Sequence, residues 1–564
     1  MRKGVAIGFC FLSFAAATKS FADVSTSTGT PTGDVIRSIS IEPNNVFDPT
    51  VPGEDHWPYT WADALHIRTR ANIIRRELLL QPGDLSQDDL REESERNLRS
   101  LPFIRAAEIR EVPADGGGVD WFVKTHDSWT TQPQINLVSE GGETHSEAGI
   151  QEENLLGYGK SVGYFFRHNS SQGNSNDFSY ADPQLFGTRA RLSTQFVDTP
   201  TGREQHINLS RPFYSLETPY ATGVFWNHVN GLQKVSDRGA QINEYVKDHN
   251  DLDSFAGIRL NQNALDVKRA ELHYKYYADL YQADSLTAPN GLPINQTITG
   301  PTFALTRTQS QYIKDSNVDS VGRIEDINLG HQSGANMGYA GRSIGSTDSS
   351  VPISIFDGVG VSNKCDTFGL FSYGMVGRYT LYGPSQSGGH MANTLYFANA
   401  NIYSHLHVSD WVPVTGVLHA ETAYAQNADQ ADVLQLGGDT GLRGYKVQSY
   451  TGNKSMLVNG ETRAYYSREW LHLFYVGNVL FVDTGEVQPE GIPFRTQDLH
   501  TDIGLGFRIA PSRSASGSVI RLDVAYAVGP IQQGHRVIVS LSTGQGFHRA
   551  GNTYANFFGA PQPL

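Results

Sequence analysis

Arg269-Ala270-Glu271-Leu272-His273-Tyr274-Lys275-Tyr276-Tyr277-Ala278-Asp279-Leu280-Tyr281 is the stretch on which the fold turns. Ala270, Leu272, Tyr274, Tyr276, Ala278 and Leu280 share one face of an extended chain, and Arg269, Glu271, His273, Lys275 and Asp279 share the other. Successive side chains of a strand point to opposite sides, so the segment is apolar on one side and charged on the other. A strand between lipid and a wet lumen requires that contrast. Ile520, Leu522, Val524, Tyr526 and Val528 repeat it against Arg521 and Asp523. Leu499, Thr501, Ile503, Leu505, Phe507 and Ile509 do so against Asp502 and Arg508. A soluble sandwich also alternates, but rarely with both faces so extreme. The pattern predicts a mainly β chain built around a transmembrane antiparallel β-barrel.

Composition agrees. The chain has 564 residues, 57 of them Gly, 26 Tyr and 27 Phe, and a mean hydropathy of −0.37. Beyond the N-terminus no stretch is apolar enough to make a helix in lipid, which needs about 20 residues. A large secreted β-protein would share this composition. Arg2 and Lys3, the apolar run from Val5 to Ala17 and the small residues of Ser20-Phe21-Ala22 read as a signal peptide over residues 1–22. Cleavage would remove Cys10 and leave Cys365 alone, so no intramolecular disulfide is expected in an oxidising compartment. A net charge of −14 without a basic patch argues against nucleic acid as a partner.

Residues 35–127 have a different character. Val35, Ile39 and Ile41 make a short β-prone run. Thr69 is placed to cap a helix with Ile74 and Leu78 on one face, which Pro82-Gly83 stops. Ser86 and Asp89 suggest the start of a second helix burying Leu90, Leu98 and Leu101. Strands over Ile104–Val112 and Val119–Lys124 follow, joined by Asp115-Gly116-Gly117-Gly118. A generic small α/β domain would read this way. The order, with Leu78, Gly83-Asp84, Leu98-Arg99, Leu101 and Val119-Asp120-Trp121-Phe122-Val123, resembles one polypeptide-transport-associated (POTRA) domain. The insertion over 44–67 departs from that module.

The barrel is expected over 131–547, with polar loops at 231–252, 282–297, 340–366 and 426–455 and a C-terminal tail over 548–564. Its last third carries the most specific motifs. Gly441-Leu442-Arg443-Gly444-Tyr445 is followed by Asn459-Gly460-Glu461-Thr462-Arg463, Phe481-Val482-Asp483-Thr484-Gly485, Gly504-Leu505-Gly506 and Arg521-Leu522-Asp523-Val524-Ala525. In this order, behind one POTRA-like unit, the set resembles the BamA/TamA-like family of outer-membrane assembly and translocation barrels. The resemblance implies sixteen strands and a long loop folded back into the barrel, with Gly441, Arg443, Gly444 and Tyr445 at its tip. The wall residues Glu461, Arg463, Phe481, Asp483 and Gly485 are its expected partners. Alternation puts Asp483 on the lumen side and Val482 toward lipid, so Arg443 can pair with Asp483 bidentately, and Gly444 allows close approach.

Five strands read out after the loop, over 456–466, 473–483, 499–509, 519–528 and 536–547, with eleven to fourteen candidates before it. The first strand, near Gln134–Ser139, is expected to pair with the last, near Arg536–Phe547. The family's last strand usually ends in an aromatic residue. The tail after Phe547 departs from that, and Phe557 and Phe558 offer an alternative end.

By resemblance the protein receives unfolded outer-membrane or secreted polypeptides in the periplasm and inserts or exports them through a seam, touching outer-membrane lipid and further assembly subunits. A channel dedicated to one secreted passenger is the second reading, and a passive porin the third. Asp23–Gly33 is too short and too poor in helix formers for the plug helix of two-partner secretion barrels. No enzyme, cofactor or metal is expected. Gly341-Arg342-Ser343-Ile344-Gly345 fits G-x-S-x-G, but the strand before it and helix after it that a nucleophile elbow needs are missing. The chain has no H-E-x-x-H or C-x-x-C pair, and histidines such as His273 and His472 read as lumen or interface residues.

Overall fold

The computed structural model describes residues 33–140, 143–169, 173–237, 240–288, 291–363, 366–382, 389–409, 411–428, 434–438, 440–515, 519–529 and 536–544. The segment 1–22 expected to be a signal peptide, Cys365, Phe547 and the 548–564 segment with Phe557 and Phe558 lie outside them, as does nearly all of Asp23–Gly33.

The N-terminal domain runs β1 (Ile36–Asn44), α1 (Tyr59–Leu65), α2 (Ala71–Glu77), α3 (Asp88–Arg99), β2 (Ile104–Pro113) and β3 (Val119–Asp127). Its sheet has the order β1-β3-β2, with β1 parallel and β2 antiparallel to β3. Ile36, Ile74, Leu98, Ile109 and Trp121 are fully buried between the sheet and α2 and α3, as the alternation and the i,i+4 spacing predict.

Two expected caps are not used. Arg70 precedes α2, while Thr69 is drawn out of the cap: its N–H donates to Asp127 Oδ2 at 2.7 Å and its hydroxyl accepts from Asn154 Nδ2 at 2.9 Å. Gln87 precedes α3, because Ser86 Oγ is engaged by Glu111 and by the Trp121 indole N–H. Tertiary partners outbid the local cap in both cases. The 44–67 insertion contributes α1.

The barrel runs from Thr131–Glu140 to Val537–Thr543, each strand antiparallel to its neighbours in chain order, and it closes on itself. Among the described residues it has twenty strands, fifteen before the 434–452 segment and five after it. The five match the expectation; the sixteen implied by resemblance do not. Between Thr131 and Arg211 the chain folds into six strands of nine or ten residues. Their hairpins are as tight as Thr199↔Gly202, too short for alternation alone to separate one strand from the next.

Two expected loops are also strand. Tyr220–Asp237 and Ala240–Arg259 stay paired as far as Asp237↔Ala240, so most of 231–252 is ladder. Ser349–Ser362 lies inside 340–366. Beyond the membrane both faces of a strand meet water, so alternation stops while backbone pairing continues. G-x-S-x-G falls at a 3-10 turn over Arg342–Ile344 beside that strand.

The wall obeys the alternation. Leu272, Tyr274, Leu280, Ile503, Leu505 and Leu522 face outward, while Arg269, Asp502, Arg508 and Asp523 are buried inside. His273 joins the inner wall, its ring nitrogens on Asp253 and Glu271.

Two features position the site. A hairpin of Tyr312–Asp315 with Glu325–Asn328 leaves the barrel at the end where the N-terminal domain joins. Val318 and Leu329 are buried against Phe368, Tyr403 and Val417, and Val321 against Tyr465 and Val519. The closing junction is thin: among the described residues Leu541↔Ser139 alone pairs the last strand with the first.

Candidate functional site: a loop clamped in the lumen

The 434–452 segment enters from the end opposite the N-terminal domain. Leu434–Leu436 pairs with Tyr450–Gly452, and the tip between them lies inside the wall. Leu442 and Tyr445 are buried with Leu436, Leu457 and Val487, so an apolar plug seats the tip and carries Arg443 into a space where the residue is 4 % exposed.

The wall holds that guanidinium from several sides. Nε and Nη2 of Arg443 donate to the two oxygens of Asp483 at 2.8 and 2.7 Å, and Nη1 donates to Glu461 at 2.5 Å. Its plane lies 3.6 Å from the Phe481 ring centroid. Asn459 Nδ2 ties the clamp from below, donating to Asp483 at 2.8 Å and to the Gly441 carbonyl at 2.7 Å. Gly444 N–H donates to Asp502 at 3.0 Å, and the Tyr445 hydroxyl donates to the Thr501 carbonyl at 3.1 Å.

Two glycines are required by geometry. Gly441 has φ +111°, and a Cβ on Gly444 would sit 2.5 Å from Asp502 Cβ. Charges this deep cost several kcal/mol each to desolvate, by order of magnitude, unless fully paired. Here carboxylates and guanidinium groups pair and share hydrogen bonds. Such an arrangement fixes position more than it adds stability.

All nine residues singled out from the sequence meet in this region. Gly441, Arg443, Gly444 and Tyr445 supply the tip, and Glu461, Phe481 and Asp483 receive it. Gly485 gives room to Leu436. Arg463 works one step further on: its Nε donates to Glu461 at 2.7 Å and its Nη1 to the Val318 carbonyl at 2.8 Å. Val318 is the tip of the hairpin from the other end, so the two inserted segments are bridged by Arg463 and Glu461. Sequence reading missed that hairpin, and it missed the roles of Asn459 and Asp502. Asn459 opens the Asn-Gly-Glu-Thr-Arg motif and Asp502 sits on the charged face of the alternating run over 499–509, so both were visible. Residues 310–331 carry no periodic signal.

The N-terminal domain seals the other mouth. Its α3 is held bidentately, Arg99 Nε and Nη2 each donating to Asp326 at 2.8 Å, while Lys314 pairs with Glu95 at 3.2 Å. Glu93 accepts the Leu216 N–H at 2.7 Å. Glu54 of the insertion receives Arg513 at 2.7 Å, and Tyr59 donates its hydroxyl to the Leu471 carbonyl at 2.9 Å. His472 lies in this interface beside Glu54 and Tyr59. Glu54, Glu469 and His472 could hold a cation together, but Arg513 already brings positive charge to both carboxylates.

The same α3 side chains cover the outer edge of β2. Glu95 accepts the Ile109 N–H at 2.9 Å, and Arg99 Nη1 donates to the Ala107 carbonyl at 3.3 Å. Burial opposes the charge on Glu95, but hydrogen bonds from Ile109, Arg99 and Lys314 outweigh it and hold the carboxyl below its usual range. Burial dominates at Glu93 and pushes its carboxyl up.

No protein-family profile matches the chain. In sequence it is 28% identical over 177 residues to the outer membrane protein assembly factor BamA of Neorickettsia risticii. That match covers 30% of this chain and spans about a fifth (20%) of that relative's length. Among solved structures, CdiB from Acinetobacter baumannii aligns over 91% of this chain and 74% of its own, with a TM-score of 0.47 and 11% identity. BamA from Haemophilus ducreyi, lacking POTRA domains 1–3, aligns over 91% and 84%, with a TM-score of 0.37 and 12% identity. With a clamped inner loop, an apolar outer wall and this sequence match, the chain is an outer-membrane-type β-barrel with a small N-terminal α/β domain, similar to the BamA/TamA-like assembly and translocation proteins.

Proposed function

We propose that this protein sits in the outer membrane of a Gram-negative bacterium with its POTRA-like domain in the periplasm, and that it inserts or exports unfolded polypeptides without covalent chemistry, cofactor or metal. The thin closing junction carries the reading. Val537–Thr543 pairs seven residues with Ile520–Tyr526, and Thr131–Glu140 pairs ten with Glu143–Glu152, against the single described pair between them. A strand edge with few partners is a template for another strand.

In this reading the structure is the resting state. The POTRA-like domain covers one mouth, the 434–452 loop fills the other, and α3 occupies the β2 edge. A client strand that adds to β2 must displace Glu95 and Arg99, which also loosens their hold on Lys314 and Asp326. The seam then parts while the Arg443 clamp keeps the wall a few strands away from it in shape. A passive porin would gain nothing from this arrangement.

Deletion of residues 35–127 is a poor test because it uncovers the lumen. Depletion of the whole protein followed by outer-membrane proteomics is cleaner, with wild-type and seam-locked copies (Cys365→Ala, Ser139→Cys, Leu541→Cys) supplied back. Loss of several unrelated barrels, restored by the wild-type copy alone, is the expected result. Loss of one secreted protein would assign a dedicated transporter. An unchanged proteome sinks both readings, and full rescue by the oxidised, locked copy sinks the seam.

A further inference from the structure

The insertion that seals the barrel mouth wears its apolar side outward. On α1 and the residue leading into it, Tyr59 is buried with Val46 and Phe47, Asp63 accepts the Phe47 N–H at 3.2 Å, and His66 meets Asp127 at 3.1 Å. Those residues take the protein-facing side. Trp61 and Leu65, four apart on α1, share one side of the helix and are 59% and 57% exposed, and Trp57 just before it is 75% exposed. A surface helix in water shows the reverse arrangement.

The stripe does not stand alone. Tyr59 donates to the Leu471 carbonyl, and Trp470 and Leu471 on that barrel turn are 66% and 62% exposed. Ser467 of the same turn bonds through its N–H and its hydroxyl to the Trp411 carbonyl, and Trp411 is 77% exposed on the neighbouring turn. Outward indoles and leucines therefore stand both on the barrel's lower rim and on the insertion docked against it. Phe186, on a further turn at this end, is exposed as well. Tryptophans concentrate where a barrel crosses from lipid to water, ring in the acyl boundary and N–H toward the headgroups.

We infer that Trp57, Trp61 and Leu65 lie in the periplasmic leaflet of the outer membrane, pinning the N-terminal domain to phospholipid beside the barrel. The occupant of this face is the bilayer itself, because the insertion docks on the barrel turn that carries outward Trp470 and Leu471, at the rim of an apolar outer wall. A short amphipathic element of this kind lies in the interface and does not cross it. The inference needs the barrel to be in a membrane and is independent of which client it handles.

The test uses the full chain in vesicles of phosphatidylethanolamine and phosphatidylglycerol carrying brominated acyl chains. Subtracting the emission of a Trp57→Phe, Trp61→Phe variant from that of the wild type isolates the two indoles, and the buried Trp121 provides a control through Trp121→Phe. The difference emission is expected to be lost in brominated vesicles and spared by aqueous acrylamide. Quenching by acrylamide with none by bromine would place the stripe in water and overturn the inference. Protection from both would mean a protein contact, another copy included, and would overturn it equally.

Discussion

The clamped wall and the seam are made from the same kind of strand, yet they are held together very differently. Lys454–Tyr465, Phe474–Gln488 and His500–Pro511 share twelve paired residues at each of their two junctions, and the Arg443 cluster binds all three from inside. The first and last strands share one described pair. With a net worth of about 0.5–1.5 kcal/mol for each backbone hydrogen bond, the pairing described at the closing junction holds it far less than the pairing described along the clamped wall. In the proposed reading stability is unevenly distributed, and the closing junction is where movement is cheapest. The buried charges fall on the opposite side of that division. Their geometry makes the wall around Asp483 unable to breathe without exposing an unpaired ion.

The sharpest way to break this comparison is Arg443→Ala. The change strands Asp483 and Glu461 in the interior without their shared guanidinium, leaving Arg463 and the more distant Arg508, and breaking a buried pair costs about 3–5 kcal/mol. The expected outcome is a barrel that still inserts but unfolds at clearly lower temperature, read by heat-dependent gel mobility, with loss of assembly or export activity. Arg443→Lys should recover part of the stability, since it keeps the charge and loses the two-pronged contact. A variant that melts and works like the wild type would show that the wall is no firmer than the seam.

A smaller effect is expected from Arg99→Ala, which removes two hydrogen bonds to the partly shielded Asp326 and frees Glu95 from one of its holders. Hydrogen bonds to charged groups are worth about 1.5–3 kcal/mol. Amide hydrogen exchange should accelerate at Ile109 and across Tyr312–Asn328 while Lys454–Tyr465 keeps its protection. Acceleration at Lys454–Tyr465 as well would mean that the Val318–Arg463 bond transmits the loss, joining domain and clamp into one unit.

Much of this division was readable in the sequence, for reasons that also mark its limits. The membrane-crossing part of a strand is written in period-two alternation, so the lumen placement of Asp483, Asp502 and Asp523 could be stated before any coordinates. Arg443 was found by its company of glycines and aromatics, and its partners followed from the alternation. The six short strands after Thr131 and the water-exposed ladders of Tyr220–Arg259 lack that contrast, which is why the strand count came out low and 231–252 read as loop. Thr69 and Ser86 illustrate another limit. Both are good capping residues locally, and both were taken by partners distant in sequence, Asn154 and Glu111. The hairpin over 312–328 was invisible because its buried residues, Val318, Val321 and Ile327, are isolated apolar positions among polar ones. Their meaning depends on Phe368, Tyr403 and Tyr465, which only the closed barrel brings near.

The smallest expected effect concerns how the domain rests on the mouth, and it depends on pH. Glu93 accepts the Leu216 N–H in a site where burial raises its pKa; that hydrogen bond and the charges of Arg96 and Arg269 pull it back only in part, and Glu217 adds to the rise. A carboxyl whose pKa is raised on docking binds its proton more tightly in the docked state, so protonation favours docking. The increment is fully present below the ordinary glutamate range and is lost as pH climbs through the raised value. Protection of the Leu216 amide, corrected for intrinsic exchange, should therefore decline with rising pH across that window. Glu93→Gln keeps an acceptor for the same N–H and has no proton to lose, so its profile should be flat at the protected level. Protection that instead grew with pH would mean that the ionised carboxylate is the docked form, and that this edge of the domain is held by charge, as the Arg99 edge is, and not by burial.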